Sequence, residues 1–246
     1  MNYLFYLLFF LLISNISVFA KTSEVVKQTL QFSWMVEVVG VSTGSGVAVA
    51  RIKEGTLIMT NDHVCQSSRG VNPLSGAVKH SSKLNSHPVF VNNLKQRHPA
   101  RVVKVSNLEY LRPPKKGSDL CLLYVAKPLP VATFKEDGFE SGDELFGIGA
   151  PSGFFPSIYQ GYAGALITSK NPSSVENPSL FVSMYANHGS SGGGVFDTKG
   201  RLGALTYAIV QDDQNNSPVV TVTVPLIYMQ QFLNDYLEYI KLGGSN

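Results

Sequence analysis

The chain has 246 residues, of which 44% are hydrophobic and 15% are charged, a composition typical of a globular protein with one large domain or two small ones. The formal net charge of +3 is too small to indicate a nucleic-acid partner, and two cysteines are too few for the disulfide framework of a small secreted domain. Half of the 20 basic residues lie between Arg69 and Lys116, with Glu109 as the only acid there. This stretch either forms a positive patch that attracts anionic partners or is a solvated, loop-rich face.

The N-terminus carries an apolar run over residues 3–13 that is followed by polar residues. The run is shorter than the roughly 20 residues that cross a bilayer, and Val18 and Ala20 suit the small-residue positions before a cleavage site. We therefore predict a signal peptide over residues 1–20, export to the periplasm or the extracellular space, and no stable membrane span after the signal is removed. Because no Lys or Arg precedes the run, an uncleaved anchor remains the alternative.

After Lys21 the chain is a series of short apolar runs that are separated by Gly, Pro, Asn and Ser. Val, Ile, Thr and aromatic residues dominate these runs, as they do in half-buried strands. Many short strands at such spacing predict an all-β barrel or sandwich. The runs are WMVEVVGV (34–41), GVAVA (46–50), TLIMT (56–60), PVFV (88–91), ARVVKVS (100–106), LCLLYVA (120–126), ELFGIGA (144–150), GALIT (164–168), LFVSMYA (180–186), GVFD (194–197), LGALTYAIV (202–210) and VVTVTV (219–224).

The stretch AKPLP at 126–130 interrupts the strand pattern near the middle of the chain. It is a natural connector between two β units, which we place at about 33–126 and 131–224. Residues 225–240 begin with a proline and then repeat apolar residues at helical spacing, which predicts an amphipathic C-terminal helix. Only a short tail follows that helix, so we expect no second C-terminal module.

The segment NHGSSGGGVFD at 187–197 has two interpretations. Its glycines and serines are typical of a flexible linker, but the same small residues permit a tight turn whose N–H groups converge on one point. The segment lies between apolar runs, which argues against a linker. The turn is therefore a candidate for a catalytic serine, since hydrolysis through serine needs a base, a carboxylate and oxyanion donors.

Chain order selects among the known arrangements of these groups. GSSGG at 189–193 also fits the G-x-S-x-G turn of α/β-hydrolases, but that family places its histidine after the serine. Here all five histidines, at 63, 80, 87, 98 and 188, precede Ser191. The subtilisin order needs an aspartate well before the histidine, and only Asp62 precedes His63. The order that remains is His, then Asp, then Ser.

His63 ends an apolar run in LIMTNDHVC, and Asp119 opens another in SDLCLLYV. A histidine at a strand end can reach a cleft with its ring partly dry, which suits a general base. Alone, a histidine at a strand end is more often structural and SDL is a common strand start, so only the ordered set with Ser191 is informative.

The ordered set resembles the trypsin-like serine proteases, and in particular the HtrA/DegP-like branch or the related bacterial glutamyl endopeptidases. The resemblance spans most of the chain after residue 20. It rests on GSGVAVA (44–50), GTLIMTNDHV (55–64), SDLCLLYV (118–125), GDELFGIGAPSG (142–153), GYAGALI (161–167) and HGSSGGGVFDTKGRLGAL (188–205).

This resemblance implies that residues 21–246 form two packed six-stranded antiparallel β-barrels of the chymotrypsin type, followed by the C-terminal α-helix. It implies that His63 is the general base, that Asp119 orients it, and that Ser191 is the nucleophile. The backbone N–H groups of Gly189 and Ser191 would form the oxyanion hole. The substrates would be polypeptides, and neither a metal nor another cofactor is expected.

The chain departs from the family pattern at several positions. Ser190 replaces the aspartate with which digestive enzymes bind a freed N-terminus, so we expect no activation by N-terminal insertion. Gly194 replaces the usual proline, which predicts a softer loop. HtrA proteins usually carry PDZ modules, and we expect none here.

Specificity is predicted from the positions that the resemblance assigns to the substrate pocket. Tyr185 falls at the pocket base, and Thr206, Tyr207 and Ala208 fall on its wall. Because Tyr185 is not an acid, a preference for Lys or Arg is not expected. No histidine follows Ser191 to bind an acidic side chain, so we expect a small or apolar residue before the scissile bond.

Cys65 and Cys121 each lie two residues after a predicted triad member. Residues at i and i+2 of a strand point the same way, so the two cysteines would be near each other if His63 and Asp119 meet. A disulfide is then possible in an oxidising compartment. The alternative is two buried free thiols, and the ligand spacing of a zinc site is absent.

The leading hypothesis is therefore an exported serine endopeptidase that acts through an acyl-enzyme. The alternative is a catalytically inactive protease fold that serves as a binding scaffold. An esterase with the same triad is a third possibility.

Overall fold

A computed structural model describes residues 24–53, 55–65, 69–71, 78–80, 87–106, 119–167, 179–211 and 218–244. The predicted signal peptide and part of the basic stretch lie outside these residues. Among the described residues, no helix has the length and apolar character needed to cross a membrane.

The first half of the described chain forms a closed six-stranded barrel in the order β1-β2-β3-β8-β7-β6, in which every neighbouring pair is antiparallel. A separate two-stranded sheet is made of β4 and β5. The bounds are β1 Ser33–Val38, β2 Ser42–Ile52, β3 Gly55–Thr60, β4 Arg69–Val71, β5 Val78–His80, β6 Val89–Asn92, β7 Arg97–Val105 and β8 Cys121–Val125.

The second half forms another closed antiparallel barrel, in the order β10-β11-β14-β13-β12-β9. Its strands are β9 Glu144–Gly149, β10 Ser157–Ile167, β11 Ser179–Val182, β12 Gly194–Asp197, β13 Leu202–Gln211 and β14 Pro218–Pro225. The predicted fold class, two six-stranded antiparallel barrels with a C-terminal helix, is confirmed.

Three helical elements matter for the site. A single turn, α1, covers Asp62–Cys65, and the C-terminal helix α2 covers Leu226–Lys241. A short 3-10 turn covers Pro151–Gly153 between β9 and β10. α2 rests partly on the first barrel, because the Lys104 ammonium donates to the Phe232 carbonyl at 3.0 Å and lies 4.4 Å from the centre of the Phe232 ring.

Strand β10 begins seven residues before the predicted run at 164–168. The missed stretch, SIYQGYA, contains one glycine, Gly161, which interrupts the side-chain pattern. At Gly161 a Cβ would collide with the backbone carbonyl of Ser183, so only glycine lets the two chain segments approach this closely. The strand therefore depends on a close approach that the local sequence does not reveal.

One apolar cluster joins the two barrels and α2, and it fixes the cleft between them. Strand β3 contributes to this cluster from one of its two faces, and all its residues are buried. Leu57 and Met59 enter the shared cluster, whereas Ile58 enters the core of the first barrel. Burial on both faces explains the uninterrupted apolar run TLIMT. The shared cluster includes Val47, Leu57, Met59 and Leu122 of the first barrel, Ile148, Phe196 and Leu205 of the second, and Met229 and Phe232 of α2.

Candidate active site

The site begins where two paired strands bring a histidine and an aspartate together. β3 pairs with β8 up to Thr60 and Cys121, so the residues just after β3 lie beside those just before β8. His63, in α1, places Nδ1 2.7 Å from Oδ2 of Asp119. The His63 backbone N–H also donates to Oδ1 of the same carboxylate at 3.0 Å, and the Asn61 side-chain amide donates to the Asp119 carbonyl at 2.8 Å.

This arrangement determines what the imidazole can do. The carboxylate accepts a hydrogen bond at Nδ1, so the neutral ring carries its proton there and leaves Nε2 as the basic nitrogen. The side chains of His63 and Asp119 are 19% and 21% exposed, so the pair is partly dry but accessible. A base with an oriented ring and a carboxylate behind it is the arrangement that serine hydrolysis needs.

A disulfide joins Cys65 to Cys121 immediately beside this pair, with the two Cα atoms 6.6 Å apart. Cys65 is 2% exposed and Cys121 is fully buried. The bond connects the end of α1 to the first residue of β8. It therefore links covalently the turn that carries His63 to the strand that Asp119 immediately precedes.

The predicted nucleophile, Ser191, lies in the turn between β11 and β12. Gly189 and Gly192 in this turn have φ values of +94° and +85°, which are left-handed conformations that favour glycine. At Gly192 a Cβ would collide with the carbonyl oxygen of Ser45 in the first barrel. The glycines are thus required by backbone conformation and by close packing, which is the opposite of a flexible linker.

The carbonyl that precedes Gly189 determines where the Gly189 N–H points. The Ser152 N–H donates to the His188 carbonyl at 2.6 Å. In a trans peptide the C=O and the following N–H point in opposite directions. The Gly189 N–H is therefore turned away from Ser152, and it donates no hydrogen bond within the described residues.

The same reasoning applies to the nucleophile. The Gly193 N–H donates to the Ser190 carbonyl at 2.9 Å, which turns the Ser191 N–H in the opposite direction. In the described part of the chain the Ser191 N–H also donates to no acceptor. Gly189 and Ser191 thus offer a pair of uncommitted backbone donors in one turn, which is what an oxyanion hole requires.

The turn is held against the first barrel, where His63 lies. The Ser45 N–H on β2 donates to the Ser191 carbonyl at 2.7 Å. Gly44 lies next to this contact, and its missing Cβ would be 3.1 Å from the Ser191 carbonyl oxygen and 2.7 Å from the Val64 side chain. The nucleophile loop and the residue after His63 therefore meet at the same glycine. No hydrogen bond between the Ser191 hydroxyl and His63 occurs among the described residues, and such contacts often tighten only when substrate binds.

The departures at Ser190 and Gly194 have local explanations. Ser190 is 7% exposed, and its hydroxyl accepts a hydrogen bond from the Asn187 N–H at 3.1 Å, so it stabilises its own turn. At Gly194 a Cβ would collide with the Phe196 ring and lie 2.7 Å from a methyl of Val47. Packing between the barrels leaves no room there for the expected proline.

The predicted pocket residues occupy different environments. Tyr185 is 47% exposed, its ring centre lies 5.0 Å from that of Tyr159, and its hydroxyl accepts from the Asn187 side chain at 3.2 Å. Thr206 is buried, and its N–H donates to the Gly193 carbonyl at 2.8 Å. Its carbonyl in turn accepts from the Gly192 N–H at the same distance, so its backbone supports the nucleophile turn from behind.

Tyr207 and Ala208 follow on β13 and are partly exposed. The Tyr207 hydroxyl lies 3.2 Å from the Ser179 hydroxyl. Burial raises the pKa of Tyr207 above its ordinary value, and the negative charge of Asp119 adds to this shift.

Sequence reasoning missed two residues that contact the nucleophile turn, Ser45 and Ser152. Ser45 is a polar residue inside the strand GSGVAVA, and a buried serine in an apolar strand was the available signal. Ser152 has a φ of +53°, unusual for a residue with a side chain, and nothing in its sequence context predicts this. Within the described ranges no cluster of three or more His, Cys, Asp or Glu residues is suited to a metal ion.

The family model described as "Trypsin-like peptidase domain" matches residues 44–205, which include His63, Asp119 and Ser191. No curated protein sequence shows significant similarity to the chain.

Solved structures share the fold at low sequence identity. An inactive form of Rv3671c from M. tuberculosis H37Rv is 17% identical with a TM-score of 0.62, and the match covers 86% of this chain and 89% of that one. A serine endoprotease from Yersinia pestis is 19% identical with a TM-score of 0.63, covering 87% and 65%. The HtrA-type protease AlgW, solved with a tripeptide, is 21% identical with a TM-score of 0.66, covering 90% and 64%. The match thus spans about two thirds of each of the last two proteins. With the family model covering most of the chain from β2 to β13, the protein belongs to the trypsin-like peptidase family.

Proposed function

We propose that this protein is an exported serine endopeptidase that hydrolyses polypeptides through His63, Asp119 and Ser191. The observation that carries the proposal is the His63–Asp119 pair, in which Nδ1 and Oδ2 are 2.7 Å apart. The Ser191 turn packs against Gly44 beside Val64, the residue after His63, and its Gly189 and Ser191 N–H groups have no acceptor within the described residues. Base, carboxylate and oxyanion donors are the three elements of acyl transfer by serine.

The reaction follows from these groups. His63 Nε2 takes the proton of the Ser191 hydroxyl while Oγ attacks the scissile carbonyl carbon, and the N–H groups of Gly189 and Ser191 stabilise the resulting oxyanion. Collapse of this intermediate breaks the C–N bond, and His63 returns its proton to the departing amine. Water, deprotonated by His63, then attacks the ester between the peptide and Ser191. The ester C–O bond breaks, and His63 returns the proton to the Ser191 oxygen, which restores the enzyme.

Export is supported by the apolar N-terminal run and by the disulfide, because disulfides persist mainly in oxidising compartments. A small or apolar side chain before the scissile bond is the specificity that we propose. Tyr185, at the expected pocket base, supplies no negative charge for a basic side chain.

The scaffold alternative is separated from catalysis by labelling with a fluorophosphonate probe. The mature protein should be labelled and should cleave peptides from a denatured proteome digest, whereas Ser191→Ala should do neither. Thr198→Ala, which removes an exposed hydroxyl from the turn after β12, should behave as wild type. If the folded wild type is neither labelled nor active on peptides, the inactive-scaffold interpretation is supported and catalysis is excluded. An esterase would be labelled but would hydrolyse esters and not peptides.

A further inference from the structure

Ser45 is a buried residue of the first barrel whose polar groups bond mainly to the second. It is 1% exposed on β2. Its hydroxyl donates to the Gly189 carbonyl at 2.7 Å and accepts from the Ala150 N–H at 2.8 Å. Its own N–H donates to the Ser191 carbonyl at 2.7 Å, and its carbonyl accepts from the Thr60 hydroxyl at 2.6 Å.

These bonds control the peptide groups on both sides of Gly189. The Ser45 hydroxyl holds the Gly189 carbonyl directly. The same hydroxyl accepts a hydrogen bond from the Ala150 N–H, and Ala150 precedes the turn that carries Ser152. The Ser152 N–H in turn donates to the His188 carbonyl. The Gly189 N–H shares its peptide with the His188 carbonyl, so its direction is set by the bond from Ser152, in the turn that Ser45 anchors. The bond from Ser45 to the Gly189 carbonyl fixes the following peptide, so the peptides on both sides of Gly189 are restrained.

We propose that Ser45 is a positioning residue that sets the oxyanion hole from the opposite barrel. The inference rests on the proposed function of Gly189 and Ser191 as oxyanion donors. Without the hydroxyl, the Gly189 carbonyl and the Ala150 N–H both lose a partner in a buried location, where an unpaired polar group is costly. Glycine adopts many backbone conformations, so the peptide before Gly189 can then rotate and remove its N–H from the hole.

The effect belongs to the transition state, because the oxyanion forms only there. Complete loss of one oxyanion donor costs about a hundredfold to a thousandfold in kcat. Since removing the Ser45 hydroxyl loosens the donor but does not delete it, we expect Ser45→Ala to lower kcat by about tenfold to a hundredfold, with KM changed by less than about threefold.

Thr56 provides a matched control. It is fully buried in the same barrel, and its hydroxyl also makes one donated and one accepted bond, to the Lys127 carbonyl and from the Leu129 N–H, each 2.8 Å long. These partners belong to the connector between the barrels and not to the nucleophile turn. Thr56→Val should therefore lower the urea midpoint as Ser45→Ala does, while kcat stays at the wild-type value.

The experiment measures kcat, KM and the urea midpoint for both variants, together with inhibition by a peptide aldehyde and by the matching product peptide. The aldehyde forms an oxyanion with the enzyme, so its Ki should rise by the same factor as kcat/KM falls in Ser45→Ala. The Ki of the product peptide, which forms no oxyanion, should not change. A kcat within twofold of wild type in folded Ser45→Ala would overturn the proposal, as would equal activity losses in both variants.

A second variant decides the matter if Ser45→Ala does not fold. A Cβ at Gly149 would lie 3.2 Å from the Ser45 hydroxyl oxygen and 3.4 Å from the Ser190 Cα, so Gly149→Ala pushes on this hydroxyl without deleting it. A lower kcat with a matching rise in the aldehyde Ki would support the proposal, and an unchanged kcat would overturn it. If the wild type itself neither cleaves nor labels, the proposed function fails and not this inference alone.

Discussion

Removal of the Cys65–Cys121 disulfide should lower the free energy of unfolding by about 4 kcal/mol. The bond joins residues separated by 56 positions. For a loop of this size, loop closure removes about 14 cal/mol/K of entropy from the unfolded chain, which is about 4 kcal/mol at 25 °C. The β3–β8 pairing of Thr60 with Cys121 does not depend on the sulfurs. We therefore expect the folded protein to keep the His63–Asp119 pair and most of its kcat.

The assay is urea unfolding of four samples: wild type and the Cys65→Ala/Cys121→Ala double variant, each with and without dithiothreitol. The chain has only two cysteines, so the reductant can act on this one bond. The double variant in dithiothreitol is the control, and its midpoint should not move. Peptide hydrolysis by each folded sample at low urea reports whether the triad pair is intact.

Two results would refute this reasoning. A loss below about 1 kcal/mol would mean that the unfolded chain gains little freedom when the bond is broken, contrary to the loop-closure estimate. A large loss of kcat in folded, reduced protein would mean that the disulfide, and not strand pairing, holds His63 against Asp119.

Three further predictions test the site. Asp119→Asn should lower the kcat of peptide hydrolysis by roughly four orders of magnitude, because an amide cannot stabilise the protonated His63 ring. A decrease in kcat of less than about tenfold would contradict this role of Asp119. Gly192→Ala should abolish hydrolysis because its Cβ would collide with the Ser45 backbone. Gly40→Ala is the control: Gly40 has a φ of +73° and open space around it, so the variant should lose only about 1–2 kcal/mol of stability to backbone strain and keep its activity. Equal activity losses in the two variants would count against the packing argument. Burial raises the pKa of Tyr207 above its ordinary 10.0, so the folded protein holds this proton after the unfolded chain has lost it, and stability should fall as the pH rises above 10.0. Tyr207→Phe should make that fall shallower in urea titrations, and an unchanged slope would exclude this residue as a cause.

Much of the fold was predictable because its signals are local. Short runs of β-branched and aromatic residues mark most strands. The prediction missed the first part of β10, where Gly161 interrupts the apolar pattern, because the close backbone approach that requires this glycine involves Ser183, which is distant in sequence.

The candidate site was predictable in its residue types but not in its supports. His63, Asp119 and Ser191 stand out through chain order and the small residues around Ser191. Ser45 does not, because its hydroxyl partners lie 105 and 144 positions away along the chain. Only the packing of one barrel against the other brings such residues within hydrogen-bond distance.

The sequence by itself determined which side chains could perform the chemistry and in which order they occur, because residue type and local pattern need no partner to be recognised. The tertiary structure alone decided which way the Gly189 and Ser191 N–H groups point and why Gly194 has no side chain. It also decided that the two cysteines meet in a disulfide. Each of these properties is a contact between segments far apart in the chain, and burial of the shared apolar cluster is what brings those segments together.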